Sequence, residues 1–420
     1  MTMAADKQDK VLNVPTLRFS EFKDDWNDYH LRDLCTFHSG GTPSIDNVEY
    51  WEGEIPFVSA VAMHNTHIEK TPLTLTEKGL RDGSKQLEAG NLLLLVRGSM
   101  LWNKIPICYN DVDVAFNQDV KGIVPNSKTT SLFLLNWIQS HENRIKYMVT
   151  GTGIGAGKLD SEDLLALNVK LPSLIEQKKI EKFLSLIDER IETQIRIIED
   201  LKSERKYLLE QLFCLPNERV PKLRLKGMTG EWQKVKLCYI ANRVTEKNKA
   251  NTCNRVLTIA AQYGLIDQQE FFNKQIASSD LTTYYLLHKG DFAYNKSYSG
   301  DYSWGAVKRL DKYDKGVLSS LYICFRPNEN VDSDFLCHYF ESTKWYRGIS
   351  EISGEGARNH GLLNMSVDDY FNTLHRIPTL REQKAVANAL NVLVDKIDIE
   401  TEILNDLQKQ KSYLLKEMFI

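Results

Sequence analysis

The chain repeats itself. Val14-Pro15-Thr16-Leu17-Arg18 returns as Val220-Pro221-Lys222-Leu223-Arg224, Trp26 as Trp232 and Leu31 as Leu237, each 206 positions on. Further along, Glu176-Gln177-Lys178 returns as Glu382-Gln383-Lys384, Tyr207-Leu208-Leu209 as Tyr413-Leu414-Leu415, and Phe213 as Phe419, at the same offset of 206. Between these anchors the similarity fades and the offset drifts, so that Pro125 pairs with Pro327, 202 positions away. A fixed period of this kind means one folding unit built twice. Matched ends around a divergent middle point to a kept framework carrying a changed working surface. The plainer alternative is that both middles are diverged core.

Each unit closes on a long helix. Leu174 to Phe213 holds no Gly and no Pro, and neither does Leu380 to Phe419. Pro172-Ser173 with Glu176, and Pro378-Thr379 with Glu382, have the spacing of capping boxes, and Pro216-Asn217 marks the end of the first helix. Apolar side chains recur at steps of three and four: Ile180, Leu184, Ile187, Ile191, Ile198, Leu201, Leu208 and Leu212. The matching positions of the second helix are apolar throughout: Val386, Leu390, Leu393, Ile397, Leu404, Leu407, Leu414 and Met418. About forty residues at 1.5 Å each make roughly 60 Å, longer than a domain of this size is wide, so a helix lying on its own domain would leave much of its stripe in water. Pairing the two stripes covers both. Only Cys214 to Val220 separate the first helix from the second opening motif, a reach of about 20 Å. The second domain is therefore expected at the far end of the first helix, with the two helices antiparallel.

Composition bounds the function. A chain of 420 residues is long enough for two or three cores. Its formal net charge of −3 does not favour a protein that grips phosphates alone, so any nucleic-acid contact needs local positive charge or help from partners. Seven cysteines without a C-x-x-C pair point to a reduced, cytoplasmic protein with no structural zinc. No apolar run reaches the roughly eighteen residues of a membrane span, and Met1 to Asn13 reads as a loose tail rather than a signal peptide. His64 and His67 share H-x-x-H spacing without the Glu of a zinc-protease helix, which suits a surface loop better than a metal site. Neither an Asn-Pro-Pro-aromatic nor an Asp-Pro-Pro-Tyr string occurs, and no Gly-x-Ser-x-Gly elbow, so no residue is assigned a catalytic role.

Two variable stretches, each followed by a long helix that opens Pro, then Glu-Gln-Lys, resemble the specificity subunits of Type I restriction–modification systems. Short phrases fit as well: Ser39-Gly40-Gly41-Thr42-Pro43-Ser44, Phe116-Asn117-Gln118 and Tyr294-Asn295-Lys296-Ser297-Tyr298. The second unit has no counterpart of Gly40-Gly41-Thr42-Pro43 near Val244-Thr245-Glu246-Lys247. The resemblance implies an α/β (α+β) fold: two target-recognition domains with curved mixed sheets, separated by two antiparallel coiled-coil helices. The expected boundaries are a tail over 1–13, a first recognition domain over 14–172, a spacer helix over 173–214, a second domain over 215–378 and a second helix over 379–420. It further implies double-stranded DNA with a split target, two adenine methyltransferase subunits that use S-adenosylmethionine, and two motor–nuclease subunits that use ATP and magnesium. The rival reading is a protein scaffold built on the helical pair, with no DNA.

Within that frame the candidate readers are stretches where hydrogen-bond donors and aromatics interleave: Tyr294, Lys296, Ser297, Tyr298 and Arg309 in one group, and Arg97, Ser99, Asn103 and Lys104 in another. Gly151-Thr152-Gly153-Ile154-Gly155-Ala156-Gly157-Lys158-Leu159 imitates a phosphate loop. It has Thr152 where a Walker A glycine is needed, and Leu159 where Ser or Thr should follow the lysine. The second unit carries its own version, Gly354-Glu355-Gly356-Ala357-Arg358-Asn359-His360-Gly361. These loops either bring backbone with Lys158, or with Arg358, Asn359 and His360, to DNA, or are plain turns.

Overall fold

The computed structural model describes residues 13–153, 155–260, 263–272, 280–297, 302–353 and 363–420. The chain divides into two compact units. One holds residues 1–195 and 403–420, the other 196–402. The long helices are Leu174–Leu212 and Leu380–Met418, so each unit boundary falls inside a helix and each unit owns part of both.

Unit 1 is built on a five-stranded sheet in the order Cys35–Ser39, Val120–Pro125, Leu92–Leu95, Ile107–Asn110, His67–Ile68. Only the last pairing is parallel. All four leucines of Leu92–Leu95 are buried, as expected for a central strand covered on both faces. Helix Ser131–Ser140 is capped by Thr130, whose hydroxyl accepts from the Phe133 N–H, and it contributes Phe133, Leu134 and Trp137 to the core. A short pair, Asn27–His30 with Asn168–Leu171, leads into the first long helix.

Unit 2 repeats this plan with fewer strands in its main sheet: Ala241–Arg243, Ile323–Pro327, Phe292–Asn295, Ala306–Arg309. Pro125 faces Cys35 in unit 1, and Pro327 faces Ala241 in unit 2. The two prolines that sit 202 apart thus end the same strand. Helix Ser333–Glu341 stands in for Ser131–Ser140, capped by Asp332, and Gln233–Lys236 pairs with Leu374–Ile377 ahead of the second long helix.

The repeated anchors turn out to be one device. In unit 1 the Arg18 guanidinium donates from Nε and Nη2 to the two oxygens of Glu176, both at 2.7 Å, and the Trp26 indole N–H donates to the same carboxylate at 3.4 Å. In unit 2 Arg224 makes the same fork on Glu382, both bonds at 2.8 Å, with Trp232 at 3.2 Å. The capping-box expectation needs correcting here. The Glu176 N–H does reach Ser173 Oγ, at 3.4 Å, but both glutamate carboxylates are taken by arginine. A two-point, charge-assisted bond outcompetes a single backbone N–H.

Phe419 packs edge-on to Trp26 and lies 5.2 Å from Phe133, while the Leu17 N–H donates to the Glu417 carbonyl. Unit 2 closes identically: Phe213 packs on Trp232 and lies 5.2 Å from Phe335, and the Leu223 N–H donates to the Gln211 carbonyl. Inside unit 1 the Asp188–Lys411 ion pair, at 2.6 Å, joins the two helical segments. Every apolar position of the two expected stripes is buried or half-buried. Ile180 and Leu184 share a core with Leu414 and Met418, and Leu212 shares one with Val386 and Leu390.

Candidate nucleic-acid interface

Separated phrases of unit 1 meet at one concavity, and backbone pairing explains how. Ser39 stands opposite Lys121, and Leu95 opposite Val120 on the other edge of that strand. The chain then leaves the sheet at Val96, whose carbonyl accepts from the Leu159 N–H at 2.9 Å, and Arg97 pairs with Lys158. Arg97, Gln118, Lys121, Lys158, Asp160 and Glu162 therefore line a common hollow. The Thr42 hydroxyl donates to Gln118 Oε1 at 2.8 Å, and the Lys121 ammonium donates to Ser39 Oγ. Arg97 Nε lies 4.0 Å from Asp119 Oδ1, and Lys158 Nζ lies 3.7 Å from Asp160 Oδ2.

The glycines beside this hollow are there for close approach. A Cβ on Gly40 would stand 2.0 Å from the Phe116 carbonyl oxygen, and one on Gly41 2.6 Å from that of Gly83. Gly41 donates its N–H to the Phe116 carbonyl, which sets Thr42 against Gln118. Ser44 serves through its backbone, its carbonyl accepting from the Trp51 indole N–H at 3.1 Å. Asn117 shapes the turn, accepting the Asp119 N–H on Oδ1 at 3.2 Å. The glycine-rich segment of unit 1 is a hairpin rather than a phosphate loop. Thr150–Gly151 pairs with Gly157–Lys158, and the Trp102 indole N–H donates to the Gly155 carbonyl at 3.0 Å.

Other expected readers are dispersed. Ser99 opens a 3-10 turn, Ser99–Trp102, which changes the chain's direction after Arg97. Asn103 uses its carbonyl to accept from Lys146, and Lys104 lines a separate groove with His64, Thr66 and Lys416. His67 lies 3.1 Å from Asp111 on Nδ1, which accounts for one histidine of the H-x-x-H pair.

In unit 2 two expected readers are structural. Tyr294 is fully buried, donates its hydroxyl to the Trp304 carbonyl at 2.9 Å and stacks on Tyr370 at 4.7 Å. Its strand is flanked on both sides, so a ring there joins the core. Arg309 spends its guanidinium on Asp311 at 2.6 Å, Asp334 at 2.7 Å and Ser333 at 2.9 Å. Lys296 is half-buried and accepts the Leu363 N–H on its carbonyl at 3.0 Å, repeating the Val96–Leu159 bond. Ser297 thus occupies the place of Arg97, its N–H donating to Asn295 Oδ1. Tyr298, Arg358, Asn359 and His360 lie outside the described residues. Lys121, Asp160 and Glu162 belong to the hollow although no phrase in the sequence singled them out. Lys121 was legible only as a cation inside an otherwise apolar strand.

Residues 23–203 match the family model described as the Type I restriction modification DNA specificity domain. The MjaVIII specificity subunit of Methanocaldococcus jannaschii is 23% identical over 426 residues, covering 97% of this chain and 95% of that protein. Over residues 23–203 the chain is thus similar to Type I DNA specificity domains, and along nearly its whole length to a Type I specificity subunit. The EcoR124I/EcoR124II specificity subunit of Escherichia coli is 28% identical over 216 residues, 50% of this chain and 53% of that protein, so this match spans about half of that relative's length. The solved S subunit from M. genitalium superposes with a TM-score of 0.54 at 16% identity, covering 97% of this chain and 99% of that chain. A structure from a study of Type I complex assembly and conformational transition gives 0.54 at 14% identity, covering 94% and 97%. Both establish the fold. Within the family, specificity subunits are the non-catalytic component.

Proposed function

We propose that this chain is a specificity subunit and reads a bipartite double-stranded DNA target, one half per unit. It docks two adenine methyltransferase subunits and, for restriction, two motor–nuclease subunits. S-adenosylmethionine, ATP and magnesium belong to those partners, and the assembly works in the cytoplasm. One observation carries the reading. The Arg–Glu–Trp framework is duplicated almost atom for atom, while matched positions elsewhere in the two units differ, with Arg97 in one and Ser297 in the other. Two readers on one frame suit a target with two unlike halves.

Exchanging residues 27–170 for the corresponding stretch of a relative tests it. Adenine methylation patterns in cells carrying the chimera and its partners should change in one half of the recognised sequence. Change in both halves, or methylation without sequence preference, would overturn the reading.

A further inference from the structure

We propose that Arg97 is the specificity-determining residue of unit 1, and that the hollow it borders reads a G·C pair through the major groove. The proposal rests on the DNA-reading function above. Charge balance comes first. Arg97, Lys121 and Lys158 are matched by Asp119, Asp160 and Glu162 in and beside the hollow. A phosphate gains little from cations already matched. A base-pair edge is neutral and carries both donors and acceptors, which is the complement of such a set.

Orientation follows. The Arg97 side chain is 55% exposed, yet Asp119 stands beside its Nε. Asp119 is itself held in place: its carbonyl accepts from the N–H groups of Val96 and Arg97 at 2.8 and 3.3 Å, and its own N–H donates to Asn117. The planar guanidinium fork, with a carboxylate on its Nε side and its remaining donors open, fits N7 and O6 of guanine. Among the carboxylates, Asp160 caps helix Ser161–Leu165 and pairs with Lys158. Glu162 has no ion pair among the described residues and is the acceptor suited to the cytosine N4 amino group. Ser297 in the Arg97 position of unit 2 means the second half-site is read by different chemistry.

The test uses the assembled complex and the target sequence found from its methylation pattern. Each guanine of the unit 1 half-site is replaced in turn by 7-deazaguanine, which lacks the N7 acceptor. Competition binding should locate one position where the replacement weakens the wild-type complex roughly five- to a hundredfold. In the Arg97→Ala complex that position should no longer distinguish guanine from 7-deazaguanine, and its base preference should relax. The proposal is overturned if no position responds, or if Arg97→Ala weakens all sequences alike with a salt slope smaller by about one, as a phosphate contact would. It is also overturned if Arg97→Ala changes nothing. A wild-type complex with no sequence preference at all would instead refute the DNA-reading function on which it stands.

Discussion

Replacing Arg18 by Met should destabilise unit 1 out of proportion to a surface substitution. The Glu176 carboxylate is 2% exposed and the Arg18 side chain 12%. Without arginine, that carboxylate keeps only the Trp26 N–H, at 3.4 Å. Removing one member of a buried pair costs about 3–5 kcal/mol, mostly the penalty of the charge left behind. Because water reaches the rim of the guanidinium and one hydrogen bond survives, the lower end applies, about 3 kcal/mol. The double variant Arg18→Met, Glu176→Leu should recover much of this, because an apolar pair of similar volume carries no stranded charge. Urea unfolding of the full chain, followed by tryptophan fluorescence, reads the effect beside the clamp itself, since Trp26 touches Glu176. The same series at Arg224 and Glu382 should reproduce the result in unit 2. A loss under about 1 kcal/mol for Arg18→Met, with no coupling in the double variant, would place the clamp among ordinary surface ion pairs and refute the reasoning.

Burial lifts the Glu181 carboxyl to about 7, although it accepts from the Thr130 hydroxyl. Its native form therefore binds a proton more tightly than the unfolded chain does, and unit 1 should lose stability as pH rises from about 4.5 to 7. Glu181→Gln should flatten that slope in thermal melts between pH 5 and 8, and an unchanged slope would contradict the assignment. Desolvation holds the His375 imidazole down to about 4, between the Tyr339 hydroxyl and Thr373 Oγ1. Unit 2 should therefore weaken as pH falls from about 6.5 toward 4. Wild type and His375→Gln should differ in their urea midpoints by a margin that shrinks over that range, whereas a constant margin counts against a buried neutral imidazole. Gly40→Ala forces a Cβ to within 2.0 Å of the Phe116 carbonyl, so the strand end must shift at a cost of about 1–3 kcal/mol. DNA binding by the assembled complex should fall with it, and an alanine variant equal to wild type in both respects would show the approach is not needed.

The duplication, the two long helices and their apolar stripes were legible in the sequence because each depends on local spacing. A period of 3.6 residues, a proline at a helix start and an offset of 206 can all be read without knowing what lies across the fold. Arg18, Trp26 and Glu176 could be recognised as anchors in the same way, yet their joint purpose could not, since the clamp closes over 158 residues. Composition likewise could not tell a reader from a core residue. Tyr294 and Arg309 sit in the same kind of phrase as Arg97, but strand neighbours bury the first and carboxylates occupy the second. Arg97, Gln118, Lys121 and Lys158 come together only because three strand pairings bring them to one rim. Local patterns therefore determined the framework and its repetition. Which side chains face a ligand was decided by tertiary structure, because exposure and pairing depend on residues distant in sequence that no local pattern encodes.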